Sequence, residues 1–267
     1  MANVLDEILA NKRREVEQAR AVRPLESLRA MRGYALPRRN FYGAVAAPRP
    51  GRPNLIAEIK RRSPSAGVIR DDFDPARIAA AYAAGGAHAL SVLTDAVYFA
   101  GDLDFIAQVK DAVGLPVLRK DFIIDPYQVH ESRACGADAV LLIAEALRMA
   151  DLLPLLDLAK ELGLTVLLEV HSREVLVEVL GALDAERRTE LLLGLNNRDL
   201  ATQTIDLATT ERLAALVPPG TPIVAESGIK TRADVFRMHT AGARALLVGE
   251  TLMRSGDPGT TIRQLFG

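Results

Sequence analysis

The sequence predicts an α/β fold, a single (βα)8 TIM barrel with an N-terminal helical extension, and three observations support this. The chain has 267 residues, and a barrel of this kind normally needs about 250. Short apolar runs recur along the chain with amphipathic stretches between them, as strand–helix units do. The runs are nearly continuous in Val, Ile, Leu and Ala, which is typical of parallel strands covered on both faces.

Eight such runs can be counted, and each is predicted to be a strand. They span residues 55–60, 89–93, 116–120, 139–143, 165–170, 191–195, 222–226 and 245–249. Helices are predicted between them at 74–86, 103–114, 125–136 and 151–163, where start signals such as Asp-Pro and a final Gly bound each stretch. An open doubly wound sheet is the alternative, but the turn after the first strand, KRRSPSAG, lacks the GxGxxG spacing of such folds.

Residues 1–53 precede the barrel at 54–267, and we expect both parts to form one domain. The stretches 4–20 and 24–33 have the pattern of amphipathic helices, and a proline-rich run then leads into the first strand. This extension is predicted either to cap the bottom or side of the barrel or to form a lid that shields a substrate from water.

Composition narrows the range of partners. The formal net charge is −1 without a basic tail or stripe, so nucleic acid is not an expected partner. No apolar run approaches the roughly 20 residues of a membrane span, and the charged N-terminus does not resemble an export signal. The single cysteine, Cys135, cannot form an internal disulfide. We therefore expect a cytoplasmic protein that binds a small phosphorylated molecule, with neither nucleic acid nor a membrane as partner.

Charged residues end several predicted strands, where active sites of barrels lie. Glu58 and Lys60 end the first strand, Lys120 the third and Glu169 the fifth. The chain has 27 arginines but only six lysines, and lysine is the base whose pKa can be lowered for proton transfer. These residues therefore predict a site of general acid–base catalysis. The alternative is that both lysines are structural ion-pair partners of the two glutamates.

Two glycine-containing loops predict a phosphate site. Ser227 and Gly228 follow the seventh strand, and Gly249 and Glu250 follow the eighth, which is where barrels of this class bind phosphate through backbone N–H groups. The alternative is that these glycines only form turns. Since a glutamate side chain is unfavourable beside an anion, only the backbone of Glu250 is expected to bind.

The remaining reactive side chains do not predict a site. His88, His130, His171 and His239 lack metal-ligand spacing, so we interpret each as structural. Cys135 lies within a helical pattern and is interpreted as a packing residue. Neither a metal nor a cofactor is expected.

Several motifs, taken together, are similar to those of one known family. IAEIKRRSPSAG, LRKDFI, LLEVHS, LNNRDL, AESGI and LVGETLM resemble the indole-3-glycerol-phosphate synthase family in content, order and spacing. The resemblance spans essentially the whole chain, including LDEILANKRREV and NFYGAV in the extension. It implies a cofactor-free lyase of tryptophan biosynthesis. The implied reaction converts 1-(2-carboxyphenylamino)-1-deoxyribulose 5-phosphate into indole-3-glycerol phosphate, carbon dioxide and water.

The resemblance also implies roles for individual residues. Lys120 matches the general acid at the ketone oxygen, and Glu169 matches the base that assists the later loss of water and a proton. Lys60 and Glu58 match groups that hold substrate anions and orient the catalytic lysine, and Lys60 is a second candidate acid. The implied substrate contacts are Ser63, Asn196 and Arg198, the aromatic residues Phe99 and Phe122, and the phosphate loop of Ser227, Gly228, Gly249 and the backbone of Glu250.

Two other functions compete with this one. A phosphoribosylanthranilate isomerase would have similar phosphate loops, but it would use a cysteine and an aspartate, and Cys135 is poorly placed for that. A non-catalytic phosphosugar-binding barrel would be expected to lack at least one acid–base group. We expect a monomer or a weak homodimer, with another enzyme of the tryptophan pathway as the candidate protein partner.

Overall fold

The predicted barrel is confirmed by the computed structural model, which describes residues 4–199 and 202–267. Eight parallel strands pair in chain order, and the last closes on the first. They are β1 Asn54–Ile59, β2 Ala89–Leu93, β3 Val117–Lys120, β4 Ala139–Ile143, β5 Thr165–Val170, β6 Leu191–Asn196, β7 Ile223–Glu226 and β8 Ala243–Val248. Residues 1–3 of the predicted extension and Leu200 of the LNNRDL motif lie outside the described residues.

Helices surround the barrel and precede it. They are α1 Val4–Val22, α2 Leu25–Ala30, α3 Arg32–Ala35, α4 Phe41–Ala46, α5 Pro75–Gly85, α6 Ala96–Phe99, α7 Asp104–Ala112, α8 Pro126–Cys135, a 3-10 turn Ala144–Ala146, α9 Met149–Glu161, α10 Arg173–Ala182, α11 Ala185–Arg188, α12 Ala208–Ala214, α13 Arg232–Thr240, α14 Glu250–Met253 and α15 Pro258–Phe266. A short hairpin, Arg62–Ser63 with Gly67–Val68, follows β1. Across the described ranges, none of these helices combines the length and apolarity that a bilayer crossing needs.

The predicted helix signals act through backbone hydrogen bonding. Asp74 and Asp125 accept bonds from the first-turn amides of α5 and α8, and a proline follows each of them. The helices end at Gly86 and Gly136, whose left-handed backbone suits glycine. The predicted start of the helix at 151–163 is wrong, since α9 begins at Met149.

The barrel interior is apolar at its amino-terminal end and charged at its carboxyl end. On β1, Leu55 and Ala57 face the surrounding helices, whereas Ile56 packs inside the barrel with Leu118 and Leu167. Because side chains alternate along a strand, Glu58 points to the same inner face as Ile56. The strand period therefore delivers charged side chains to the carboxyl end.

The extension occupies both ends of the barrel. Helix α4 closes the amino-terminal end, where Phe41 is fully buried and the Asn54 amide donates to the carbonyl of Val45 at 2.8 Å. The sequence analysis predicted no helix in this proline-rich run, but Asn40 caps α4 by accepting from the Gly43 amide. Helix α1 lies at the carboxyl end, where Lys12 pairs with Asp95 and Asp121. Helix α4 thus lies where the predicted cap would be, and α1 lies at the end of the barrel where the predicted lid would be.

Candidate active site

A cavity of about 620 Å³ opens at the carboxyl ends of the strands, a volume suited to a small ligand. The sequence-predicted site residues all line it, together with Leu5 and Ile8 of α1. They are Glu58, Lys60, Ser63, Phe99, Lys120, Phe122, Glu169, Asn196, Arg198, Ser227, Gly228, Gly249 and Glu250. The fold therefore brings residues from the ends of strands all around the barrel, and from α1, into one site.

Lys120 lies at the end of β3 between two buried carboxylates. Its Nζ is 3.0 Å from Glu169 Oε2 and 3.2 Å from Glu226 Oε2. Burial disfavours the ammonium, but the charges of these carboxylates outweigh it and raise the pKa of Lys120. Lysine was predicted to act here because its pKa can be lowered; these neighbours instead raise the pKa of Lys120, which therefore carries the proton that a general acid must deliver. The alternative, a structural ion pair, does not exclude a role as an acid, because the ion pair itself keeps Lys120 protonated.

Glu169 ends β5 and is also buried. Burial alone would raise its pKa, but the charge of Lys120 and a contact with His171 hold the pKa of Glu169 well below its ordinary value. The neighbouring Glu226 responds in the opposite way, because burial and the charge of Glu169 raise its pKa to about 8. The two carboxyl groups therefore differ in their tendency to hold a proton: Glu169 is favoured as the ionised carboxylate, as a base must be, and Glu226 binds a proton more readily than Glu169 does.

Glu226 also lines the cavity, but the sequence analysis did not predict it as a site residue, although the predicted strand 222–226 ends on it. It is paired in register with Asn196 at the end of β6. Its Oε1 is buried and finds no hydrogen-bond partner among the described residues. Its position as the last residue of β7, directly before Ser227, was the signal in the sequence that could have identified it.

Lys60 and Glu58 form a second ion pair, with 2.6 Å between Nζ and Oε1. Glu58 is buried, whereas the Lys60 side chain keeps 16 % of its surface exposed. A Cβ at position 249 would overlap Glu58 Oε1. The absence of a side chain at Gly249 therefore makes room for this carboxylate. The pair presents one ammonium to the cavity with its orientation fixed by Glu58.

One wall of the cavity is aromatic. The rings of Phe99 and Phe122 are 6.2 Å apart between centroids and tilted by 39°. Ser63 lies beside them in the hairpin after β1 and accepts a bond from the Ala66 amide at 3.2 Å. A planar aromatic group can pack against these rings.

The opposite wall is suited to an anion. Ser227 and Gly228 both have a left-handed backbone, with φ of 65° and 84°, which for a serine is uncommon and marks a constrained site. The Glu250 carboxylate pairs with Arg254 at 3.0 Å, which compensates its charge. Lys230 and Arg254 also line the cavity, and the sequence predicted neither.

Asn196 and Arg198 connect the two walls after β6. The Asn196 Oδ1 accepts from the Arg198 amide at 3.0 Å, and the Arg198 guanidinium donates to the Gln203 carbonyl at 3.2 Å. This local bonding holds the loop so that both residues line the cavity.

The histidines separate into two groups. His88 accepts from the Leu55 amide at 3.0 Å and His130 bonds the Tyr34 hydroxyl at 2.7 Å, so both serve packing. His171 instead contacts the Glu169 carboxylate, with 3.1 Å between Nε2 and Oε1. The structural interpretation of His171 therefore omitted its position beside the site.

Cys135 does not take part in the site. It lies at the carboxyl end of α8 and does not line the cavity. Burial raises the pKa of its thiol to about 11. The cysteine that a phosphoribosylanthranilate isomerase would use is therefore not at the reaction centre.

An ammonium between buried carboxylates, an aromatic wall and a wall suited to an anion, all at the carboxyl end of a (βα)8 barrel, are typical of an acid–base enzyme of the phosphate-binding barrel class. The family model of indole-3-glycerol phosphate synthase matches residues 5–265. The chain belongs to the indole-3-glycerol phosphate synthase family.

Relatives over the full length agree with this assignment. The indole-3-glycerol phosphate synthase of Rhodospirillum rubrum is 48% identical over 268 residues, covering 100% of both chains. That of Chromobacterium violaceum is 47% identical over 267 residues, covering 100% of this chain and 98% of its own.

Solved structures at low sequence identity share the fold. An N-acetylmannosamine-6-phosphate 2-epimerase from Clostridium perfringens has a TM-score of 0.60 at 16% identity, covering 81% of this chain and 92% of its own. A mutant tryptophan synthase alpha-subunit from Pyrococcus furiosus has a TM-score of 0.58 at 13% identity, covering 80% and 97%. These two likenesses concern the barrel alone.

Proposed function

We propose that this chain catalyses the indole-3-glycerol-phosphate synthase reaction, as a carboxy-lyase of tryptophan biosynthesis. Its substrate is 1-(2-carboxyphenylamino)-1-deoxyribulose 5-phosphate, which closes to indole-3-glycerol phosphate with loss of carbon dioxide and water. The observation that carries the proposal is the placement of Lys120 within 3.0 Å of Glu169 and 3.2 Å of Glu226, in a cavity that also has an aromatic and a cationic wall. The full-length family match supports it.

Acid help begins the reaction. The ring carbon that carries the carboxylate attacks the ketone, and Lys120 gives a proton to the ketone oxygen as it becomes a hydroxyl. This carbon must gain its new bond before carbon dioxide can leave and restore the aromatic ring. A positioned acid contributes about 10²–10⁴-fold to such a step.

Base help completes it. Glu169, which is held ionised in the ligand-free site, takes the proton that is lost as the hydroxyl departs as water. Lys60 is the second candidate acid for that departure, and Glu58 orients it through their ion pair. Acid and base thus enter the cavity from different strands of a rigid barrel.

The rest of the cavity binds the ends of the substrate. Phe99 and Phe122 pack against the anthranilate ring, and Ser63, Asn196 and Arg198 contact the polar parts. Ser227, Gly228, Gly249 and the backbone of Glu250 hold the phosphate. The phosphate does not react, so its binding energy serves to fix the reacting atoms close together.

The cellular setting is also part of the proposal. The protein acts in the cytoplasm as a monomer or weak homodimer, and another enzyme of the tryptophan pathway is its candidate partner. The lone cysteine and the near-zero net charge support a reducing compartment and a small-molecule substrate.

The test uses the absence of tryptophan from the chain, which leaves only tyrosine emission as background. Purified protein is mixed with the substrate, without metal, and indole fluorescence is followed. Lys120→Met is expected to lower kcat by about 10²–10⁴-fold, the contribution of a lost general acid. Lys160→Met is the matched control, because Lys160 bonds the Glu186 carbonyl outside the cavity; its kcat should equal that of the wild type.

Two results would contradict the proposal. Folded wild-type protein that binds the substrate but gives no indole emission would instead be a phosphosugar-binding barrel or a related enzyme. Full activity of Lys120→Met would leave the synthase activity in place but refute the role of Lys120 as acid.

A further inference from the structure

His171 lies between two carboxylates at the rim of the site. Its Nε2 is 3.1 Å from Glu169 Oε1, and its Nδ1 is 3.0 Å from Glu145 Oε2. The backbone N–H of His171 also donates to Glu145 Oε1 at 2.7 Å. Glu145 belongs to the 3-10 turn after β4, so it reaches His171 from a different strand–helix unit. Both oxygens of Glu145 are thus used to hold one histidine.

The geometry requires the charged form of the ring. Nδ1 bonds the carboxylate of Glu145 and must therefore carry a hydrogen. A neutral ring would then present the lone pair of Nε2 to the ionised Glu169 at 3.1 Å, which is repulsive. The Nε2–H is not aligned well enough for a hydrogen bond, so its contact with Glu169 is an ionic one. Only the imidazolium is attracted by both neighbours.

The two oxygens of Glu169 have different cationic partners. Lys120 approaches Oε2, whereas His171 approaches Oε1. Once Lys120 gives its proton to the substrate, it becomes neutral and no longer stabilises the charge of Glu169. Glu169 would then take up a proton more readily and would no longer act as a base. A second cation that does not take part in the proton transfer prevents this.

We propose that His171 is a positioning residue for the catalytic base: fixed by Glu145, its imidazolium orients Glu169 and keeps it ionised after Lys120 has given up its proton. The proposal rests on the proposed function, in which Lys120 is the acid and Glu169 the base. His171 itself does not line the cavity, and it acts through Glu169.

The charges around His171 support this role. Glu145 and Glu169 are the charged groups in contact with the ring, and Lys120 and Glu226 lie beyond Glu169. Burial opposes the imidazolium, but the hydrogen bond to Glu145 and the ionic contact with Glu169 outweigh it and raise the pKa of His171 to about 10. The ring is therefore charged throughout the neutral range and is not itself a pH switch.

The experiment compares His171→Gln, Glu145→Gln and the control His239→Gln, which lies on α13 away from the site. Removing the imidazolium raises the pKa of Glu169, so the acidic limb of the kcat–pH profile of His171→Gln should move upward by about one unit. Its kcat at neutral pH should fall by roughly 10–100-fold, as for other residues that orient a reacting group, with KM changed less than about threefold. Glu145→Gln should shift the limb in the same direction but less.

A second readout does not depend on turnover. The ionisation of Glu169 is followed in ¹³C-carboxyl-labelled protein without substrate, its signal assigned by its loss in Glu169→Gln. The same upward shift is expected in His171→Gln, and no shift in His239→Gln. If the wild type is inactive, the proposed function fails, and this titration still tests His171.

A purely structural role gives a different result. His171→Gln would then lower thermal stability or kcat while leaving both the acidic limb and the Glu169 titration in place, and that outcome would overturn the proposal. If His171→Gln does not fold, an unshifted Glu169 titration in Glu145→Gln would overturn it as well.

Discussion

At the scale of single residues, two glycines of the barrel make room for neighbouring carboxylates and are not needed for backbone conformation. Gly249 has a negative φ of −120°, yet a Cβ there would overlap Glu58 Oε1. A Cβ at Gly194 would overlap Glu226 Oε1 in the same way. A missing side chain on one strand thus makes room for a buried carboxylate on the next.

We predict that Gly249→Ala displaces Glu58 and breaks its ion pair with Lys60. Because small displacements of reacting groups are costly, kcat/KM should fall by about 10–100-fold, and overpacking should lower the free energy of unfolding by about 1–3 kcal/mol. Gly256→Ala is the matched control, since a Cβ at Gly256 meets open space. Steady-state kinetics and urea unfolding measure both effects, and a Gly249→Ala enzyme with wild-type kcat/KM would refute the steric argument.

Much of the site could be predicted at this scale. Polar residues that directly follow apolar strand runs, such as Lys120 and Glu169, must meet at one end of a parallel barrel. The role of His171 could not be predicted, because its partner Glu145 lies 26 positions away along the chain and depends on the neighbouring strand–helix unit. The direction of the Lys120 pKa shift could not be predicted for the same reason, since it depends on two carboxylates from other strands.

At the scale of elements, helix α1 is fixed to the barrel through one buried lysine. Lys12 Nζ lies 2.7 Å from Glu15, 2.8 Å from Asp95 and 2.9 Å from Asp121. Asp121 directly follows Lys120 in the chain, and Arg119 contacts its other oxygen at 3.0 Å. The ion pairs that hold α1 are thus next to the candidate general acid.

We predict that Lys12→Met weakens both stability and substrate binding. Removing Lys12 leaves the buried Asp95 without its cationic partner, which should cost about 3–5 kcal/mol of unfolding free energy. KM should rise several-fold because Leu5 and Ile8 of the loosened helix line the cavity. Urea unfolding and substrate titration test this against Arg13→Met, a change at the adjacent exposed position.

An unchanged KM in a destabilised Lys12→Met protein would show that α1 is only a structural support.

A helix at 4–20 could be predicted because its apolar residues recur with helical period. Its location at the carboxyl end could not, since the partners of Lys12 lie far along the chain. Helix α4 was missed because it spans only Phe41–Ala46 in a proline-rich segment, and its cap Asn40 was the local signal.

At the scale of the whole molecule, the packing of α4 stabilises the amino-terminal end of the barrel, whereas the reactive side chains lie at the carboxyl end. Phe41 and Val45 of α4 pack against the first residues of the strands, among them Ala89 and Ala139. The charged side chains follow the last residues of the same strands. The two ends are joined by rigid strands, so we expect packing changes at the bottom to leave the geometry at the top intact.

This separation gives a last prediction. Phe41→Ala removes a fully buried ring and should lower the free energy of unfolding by about 3–5 kcal/mol. At temperatures where the variant stays folded, kcat and KM should match those of the wild type, because none of the cavity-lining residues belongs to α4. Phe236→Ala is the control, since that ring is 68% exposed and its loss should change stability by less than about 0.5 kcal/mol. A fall in kcat of folded Phe41→Ala would mean that the barrel transmits strain from one end to the other. The catalytic geometry would then depend on the packing of α4 as well as on the strand ends.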